Sequence, residues 1–144
     1  MSALDNYRAI KRLAEICEEE AVSRGLEICV TVFDEHGNIV LTHRMLGSGL
    51  IAISMAERKA LTSISLRLDT GAMKPLIQPG EALYSIPTFE PLVAFGGGSW
   101  FEFPDGSAFG VGISGGPNEH VDMELVAAAR RRFIEAAWPS AEAE

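Results

Sequence analysis

Cysteine is scarce: the 144 residues hold only Cys17 and Cys29. Two thiols with no C-x-x-C spacing exclude a disulfide framework and a dithiol redox motif. They lead us to expect reduced thiols in a cytoplasmic protein. Basic residues are also few, 12 Lys and Arg against 20 Asp and Glu, for a net charge of -8. That balance excludes nucleic acid as a main partner, because duplex binding requires cations to neutralise phosphates. An anionic membrane surface is excluded on the same ground. No apolar run reaches the roughly 18–20 residues that span a bilayer. The first dozen residues mix charges of both signs and carry no apolar leader core, so no signal peptide is expected. Repeats and low-complexity segments are missing as well.

What is present is ordinary globular composition, with 47% apolar and 22% charged residues. A single domain over residues 1–144 is expected, with residues 139–144 as a frayed tail. Residues 4–24 read as a helix in which Ile10, Leu13, Ala14, Cys17 and Ala21 form one apolar stripe. Gly25 follows as its C′ residue. Residues 28–34 form a strand with both alternating sets apolar, and so covered on both faces. The turn Asp34-Glu35-His36-Gly37-Asn38 leads into a second strand over 39–44. A helix over 50–68 is apolar almost all round, which predicts burial on several sides or an oligomer contact. Residues 69–91 are irregular and hold four of the seven prolines, with a short helical turn expected between Gly71 and Gln78.

Three further strands are expected at 92–95, 99–103 and 107–114. The last splits into an apolar set, Phe109, Val111 and Ile113, and a small set, Ala108, Gly110, Gly112 and Ser114. Gly in a strand marks close approach of another backbone or a ligand, and a closely packed helix is the simpler reading. A final helix over 118–138 starts at the N-cap Asn118 and carries Val126, Ala129, Phe133 and Ala137 inward. Arg130, Arg131 and Arg132 read as partners of its dipole. The order is α-β-β-α-loop-β-β-β-α. It predicts an α/β (α+β type) fold with an antiparallel sheet of about five strands and helices packed on it.

The residues that could carry chemistry gather around the last strand and helix. Glycines running into a helix N-terminus present backbone N–H groups to an anion, which singles out Gly115, Gly116 and Asn118. The spacing is neither a Walker A loop nor G-x-G-x-x-G, and a carboxylate suits the same donors. Asp122 lies four residues before Val126 and faces inward. It caps backbone amides, pairs with Lys59 or Arg44, or serves as a base. His120 has the pKa range for proton transfer. Glu119, His120 and Asp122 lack the i, i+4 spacing of two metal ligands on one face, so no metal site is expected. His43 alternates with Leu41 and Ile39, and is read as a core-edge histidine or, more sharply, as a haem ligand or an acid/base residue. Lys59 either snorkels to solvent or meets an acidic partner.

At this point the pieces resemble a known family. They are Val32-Phe33-Asp34-Glu35-His36-Gly37-Asn38, His43-Arg44-Met45, Ala56-Glu57-Arg58-Lys59-Ala60-Leu61-Thr62, Phe95-Gly96-Gly97-Gly98 and Gly110-Val111-Gly112-Ile113-Ser114-Gly115-Gly116. Together they look like the GlcG/HbpS-type family, which includes the C-terminal domain of PduO-type cobalamin adenosyltransferases. The likeness runs from about residue 4 to 134 and includes the acidic start Glu119-His120-Val121-Asp122. It implies a three-layer, profilin- or PAS-like fold, and homo-oligomers from dimer to octamer. It also implies ligands such as haem, a corrinoid or a small anionic metabolite held in a pocket at a subunit interface. His43 and His120 replace residues more usual in the family. Ser99-Trp100-Phe101-Glu102-Phe103 replaces a Val-Pro-Ile stretch, which predicts a more aromatic pocket.

Two functions follow as expectations. In the first, a binding protein holds its ligand with Arg44, Lys59, Gly115, Gly116, Asn118 and Glu119, while His43 or His120 approaches a metal centre. In the second, a small lyase, isomerase or hydrolase uses His120 or Asp122 as general base, and Arg44 and Lys59 to bind an organic acid. A third possibility is an assembly partner of a larger enzyme, contacting it through the second helix and the proline-rich loop.

Overall fold

The computed structural model describes residues 2–137. Three helices, α1 (Ala3–Ser23), α2 (Ala52–Leu66) and α3 (Glu119–Ala137), pack on a sheet of β1 (Cys29–Asp34), β2 (Ile39–Arg44), β3 (Gly98–Glu102) and β4 (Ala108–Ser114). The tail expected at 139–144, and Trp138 as the last helical residue, lie outside the described residues. The sheet is antiparallel throughout, in the order β2-β1-β4-β3.

Local chemistry sets the helix ends. Ser2 and Asp5 form a capping box, in which the Ser2 hydroxyl accepts from the Asp5 N–H and the Asp5 carboxylate accepts from the Ser2 N–H. Gly25 follows the α1 C-cap with φ +68°. Asn118 caps α3 by accepting the Val121 N–H at 3.0 Å.

The sheet divides three layers. Ile28, Val30 and Val32 join Val111 and Ile113 in a core with α1 and α3. Phe101, Phe103, Phe109 and Phe133 fill the same layer, with ring centroids 5.2–6.1 Å apart in stacked and edge-on pairs. The aromatic residues expected to line a pocket are thus mostly core, and of that stretch only Ser99 and Trp100 reach the cleft described below. On the opposite face Cys29 and Phe33 meet α2, whose sheet side is built from Ala52, Ala56, Ala60 and Ile64. The glycine set of β4 serves this contact. A Cβ on Gly110 would lie 2.2 Å from the Ala60 carbonyl oxygen, and one on Gly112 would lie 2.2 Å from that of Ala56. Helix packing, the simpler reading, explains those glycines.

Three expectations change. The strand expected at 92–95 does not form, so the sheet has four strands among the described residues, not five. Pro91 removes a donor there, and the Val93 N–H goes to the Thr62 hydroxyl at 3.0 Å instead of a neighbouring strand. Helix α2 is buried towards the sheet and also at Lys59, against α3, and at Thr62, against Val93; its outer side is open, with Leu46, Leu50, Ile51 and Ile53 exposed. The arginine run lies before the last turn of α3 and makes tertiary contacts rather than facing the dipole. Arg132 bridges to Glu19 and Glu20 of α1 at 2.8 and 3.0 Å, and Arg130 Nε donates to the Trp100 carbonyl at 2.9 Å.

Candidate functional site

The last strand and helix do bring charged groups together. Lys59 extends from α2 past the end of β4 and donates to Asp122 Oδ2 and to the Ile113 carbonyl, each at 2.9 Å. Asp122 Oδ1 accepts the Gly116 N–H at 3.0 Å. Both side chains are almost fully enclosed, with Lys59 2% and Asp122 4% exposed. Gly97 closes over them. It adopts φ +120°, and a Cβ there would stand 2.8 Å from Asp122 Cβ and 3.0 Å from Lys59 Nζ. Only glycine suits that position, by conformation and by space.

Around this pair runs a second ring of bonds. Glu119 accepts from Lys74 and, at 2.9 Å, from the Gly96 N–H. Those two donors, Lys74 first, hold its carboxyl below the usual range. The Gly98 N–H reaches the Thr70 hydroxyl at 2.8 Å, and the Ser99 hydroxyl donates to Asp69 at 2.7 Å. The triple glycine is therefore tied on one side to α3 and on the other to the 3-10 helix Thr70–Ile77.

Next to this network an open cleft of about 640 Å³ runs between the β3 edge and α3, with Gly97, Ser99, Trp100, Asp69, Arg130 and Arg131 among its lining residues. None of the catalytic or ligand-binding candidates named from the sequence lines it, although Gly97, Ser99 and Trp100 belong to stretches singled out there. Arg130 and Arg131 were visible as a basic run, but their address on the cleft depends on how α3 packs against β3.

The remaining sequence candidates are dispersed. His120 is exposed on the first turn of α3, and Gly115 and Asn118 are exposed in the turn before it. Arg44 is exposed and donates to the Leu46 carbonyl at 3.2 Å. His43 stands opposite Val30 in the register, on the α1 side of the sheet. Its Nδ1 lies 2.8 Å from Glu18 Oε1 of α1, and its side chain is 38% exposed. Nε2 has no partner among the described residues. Glu18 lies outside the apolar stripe of α1, and its separation of 25 positions from His43 leaves no local signal of the pairing. Among the described residues no group of three or more His, Cys, Asp or Glu is placed to hold a metal ion, and no helix is long and apolar enough to cross a membrane.

The fold is a three-layer domain in which glycine turns frame a buried ion pair. Residues 6–131 match the family model described as haem degrading protein HbpS-like, and the chain belongs to that family. It is 31% identical over 127 residues to the corrinoid adenosyltransferase PduO of Salmonella typhimurium, covering 86% of this chain but only 37% of that protein. Two crystal structures share the fold. Klebsiella pneumoniae ORFY superposes with a TM-score of 0.81 at 27% identity, covering 88% of each chain. A PduOC:Heme complex superposes at 0.78 with 30% identity, covering 90% of this chain and 91% of that one.

Proposed function

We propose that this protein binds haem, with His43 as the imidazole that meets the iron. The observation that carries the reading is the 2.8 Å contact between His43 Nδ1 and Glu18. A histidine that ligates a metal commonly gives its other ring N–H to a carboxylate, which fixes the tautomer and raises ligand basicity. Here Nδ1 is so engaged, leaving Nε2 for the metal. One imidazole suffices for haem iron, so the missing three-ligand cluster is no obstacle. Val22, one turn beyond Glu18 on the same face of α1, is an exposed apolar residue. The haem-bound relative at 30% identity supports the same ligand class. Bound haem would supply a redox-active iron; His43 would orient it, and Glu18 would hold His43.

We also propose that copies of this chain associate with one another. The side chains of Leu46, Leu50 and Ile51 form exposed apolar surface beside α2 that a second copy would cover. Light scattering on a sizing column should then give a dimer or larger, and a monomer at every concentration would remove this part.

The organic-acid enzyme has less support. Lys59 and Asp122 direct their polar atoms to each other and to backbone, and His120 stands on the surface apart from the cleft lining. Haem titration is the test. A Soret shift that saturates at fixed stoichiometry, and loses its histidine-ligated character in His43→Ala, is expected. No stoichiometric shift, or the same spectrum in His43→Ala, overturns the reading.

A further inference from the structure

Strand β3 is a free edge of the sheet, and it borders the cleft beside α3. Backbone groups alternate along an edge strand between its one neighbour and the open side. The Gly97 carbonyl accepts from Ile113 of β4, and the Phe103 N–H donates to Ser107, so the odd-numbered residues of this strand bond into the sheet. Gly98 and Trp100 point the other way. The Gly98 N–H donates to the Thr70 hydroxyl at 2.8 Å, and the Trp100 carbonyl accepts from Arg130 Nε at 2.9 Å. Between these two bonds the same edge carries the Gly98 carbonyl and the Trp100 N–H. Neither has a hydrogen-bond partner among the described residues. An edge of this kind is a template for any group that supplies the missing donor and acceptor.

Charge is ordered along the same stretch. Asp69 stands at the Gly98 end, where it accepts from the Ser99 hydroxyl at 2.7 Å. Arg130 stands at the Trp100 end, fixed by its Nε, and Arg131 lines the cleft with it. Neither arginine has a carboxylate partner among the described residues. Met123, Val126 and Ile134 add apolar surface from α3. A purely anionic ligand would meet Asp69, and a purely cationic one would meet the arginines. A zwitterion satisfies both ends. The backbone makes the same selection, because one amino-acid residue laid along an edge in the parallel sense gives an N–H to one carbonyl and accepts an N–H two residues further on. The Gly98 carbonyl and the Trp100 N–H have that spacing.

We propose that the cleft binds a free α-amino acid with an apolar side chain. Its ammonium group donates to the Gly98 carbonyl and Asp69, its carboxylate accepts from the Trp100 N–H and the Arg130 guanidinium, and its side chain lies on Met123, Val126 and Ile134. The site is on the opposite edge of the sheet from β2, which carries His43, and is independent of haem. The probes are L-leucine, isocaproate, which lacks the amino group, and isoamylamine, which lacks the carboxylate, each titrated into the isotope-labelled full chain. L-Leucine should bind saturably and shift the backbone amide resonances of Ser99 and Trp100. It should bind at least about tenfold more tightly than either analogue, since each analogue leaves one charged end of the site unpaired. Asp69→Asn keeps an oxygen for the Ser99 hydroxyl, and should narrow the gap between L-leucine and isocaproate. Ala127→Trp fills the cleft from an exposed position on α3, and should abolish the shifts. The proposal is overturned if no saturable shift occurs at Trp100, if either analogue binds as tightly as L-leucine, if Asp69→Asn leaves the gap unchanged, or if folded Ala127→Trp binds L-leucine unchanged. An edge satisfied by water alone would give the first of these results.

Discussion

Lys59 Nζ and Asp122 Oδ2 lie 2.9 Å apart inside the protein and tie α2 to the first turn of α3 across the end of the sheet. Removing one partner of a buried pair leaves the other charge without compensation, at about 3–5 kcal/mol. Lys59→Met should therefore lower unfolding stability by that order. Asp122→Asn should cost less, because the amide oxygen can still accept from Lys59 or from Gly116. Urea unfolding of both variants checks the ranking; a Lys59→Met loss below about 1 kcal/mol would show that the site hydrates when opened.

The glycine face of β4 makes a second prediction. Gly110→Ala and Gly112→Ala each place a methyl 2.2 Å from a carbonyl oxygen of α2, a backbone atom that cannot swing aside. Overpacking of this kind costs about 1–3 kcal/mol or more. Gly49→Ala is the control: nothing lies within 4 Å of its Cβ and its φ is not positive, so stability should hold or rise slightly. Thermal melts of the three variants distinguish the cases.

The fold was legible wherever a local pattern encodes it. The α1 stripe, the two-faced β1, the glycine set of β4 and the Asn118 cap all follow from residue spacing. Asp122 showed itself inward-facing by its distance from Val126, and pairing with Lys59 was among its expected roles. What failed depends on packing between distant segments. Residues 92–95 have strand composition, but no strand lies alongside them to pair with. The arginine run looked like a helix-dipole feature because Glu19 and Glu20, its partners in α1, are more than a hundred residues away. Asn6 meets Asp105 across a separation of 99 residues, and nothing near Asn6 signals a buried acceptor.

Asp105 gives the pH dependence a sign. Its carboxyl is held down to about 2 by Ser107 and Asn6, against an ordinary value of 3.8. A group whose folded pKa is depressed stabilises the fold above its unfolded pKa and loses that effect as pH falls through the folded one. The Asp105→Asn variant should thus be less stable than the parent at neutral pH. The gap should narrow between about pH 4 and pH 2, where the parent's carboxyl takes up its proton. Denaturant midpoints measured across that range test this, and a pH-independent gap would assign the loss to altered hydrogen bonding alone.

Neither thiol is poised for chemistry. Cys17 is fully buried in the α1 core, and burial drives its pKa well above the ordinary thiol range; burial also raises that of Cys29. The thiolate is the reactive form. Native protein should therefore leave both cysteines unmodified by iodoacetamide at pH 8, while protein in denaturant should gain two adducts by mass. Rapid modification of Cys29 alone in native protein would mean that α2 lifts from the sheet on the labelling timescale, since Cys29 packs with Ala52 and Ala56.

Glu18 should matter to haem without touching it. If the carboxylate orients His43 and strengthens its basicity, Glu18→Ala should weaken haem binding by about tenfold to a hundredfold, the usual effect of losing a ligand's outer partner. Glu18→Gln should lose less, because its amide oxygen still accepts the Nδ1 proton and keeps Nε2 turned to the iron. The ferric–ferrous midpoint should rise in both variants, since a less basic imidazole stabilises the oxidised iron less well. Spectroelectrochemical titration of the loaded variants reads this shift directly. A merely structural Glu18 would leave the potential of the bound haem unchanged, whatever it did to stability.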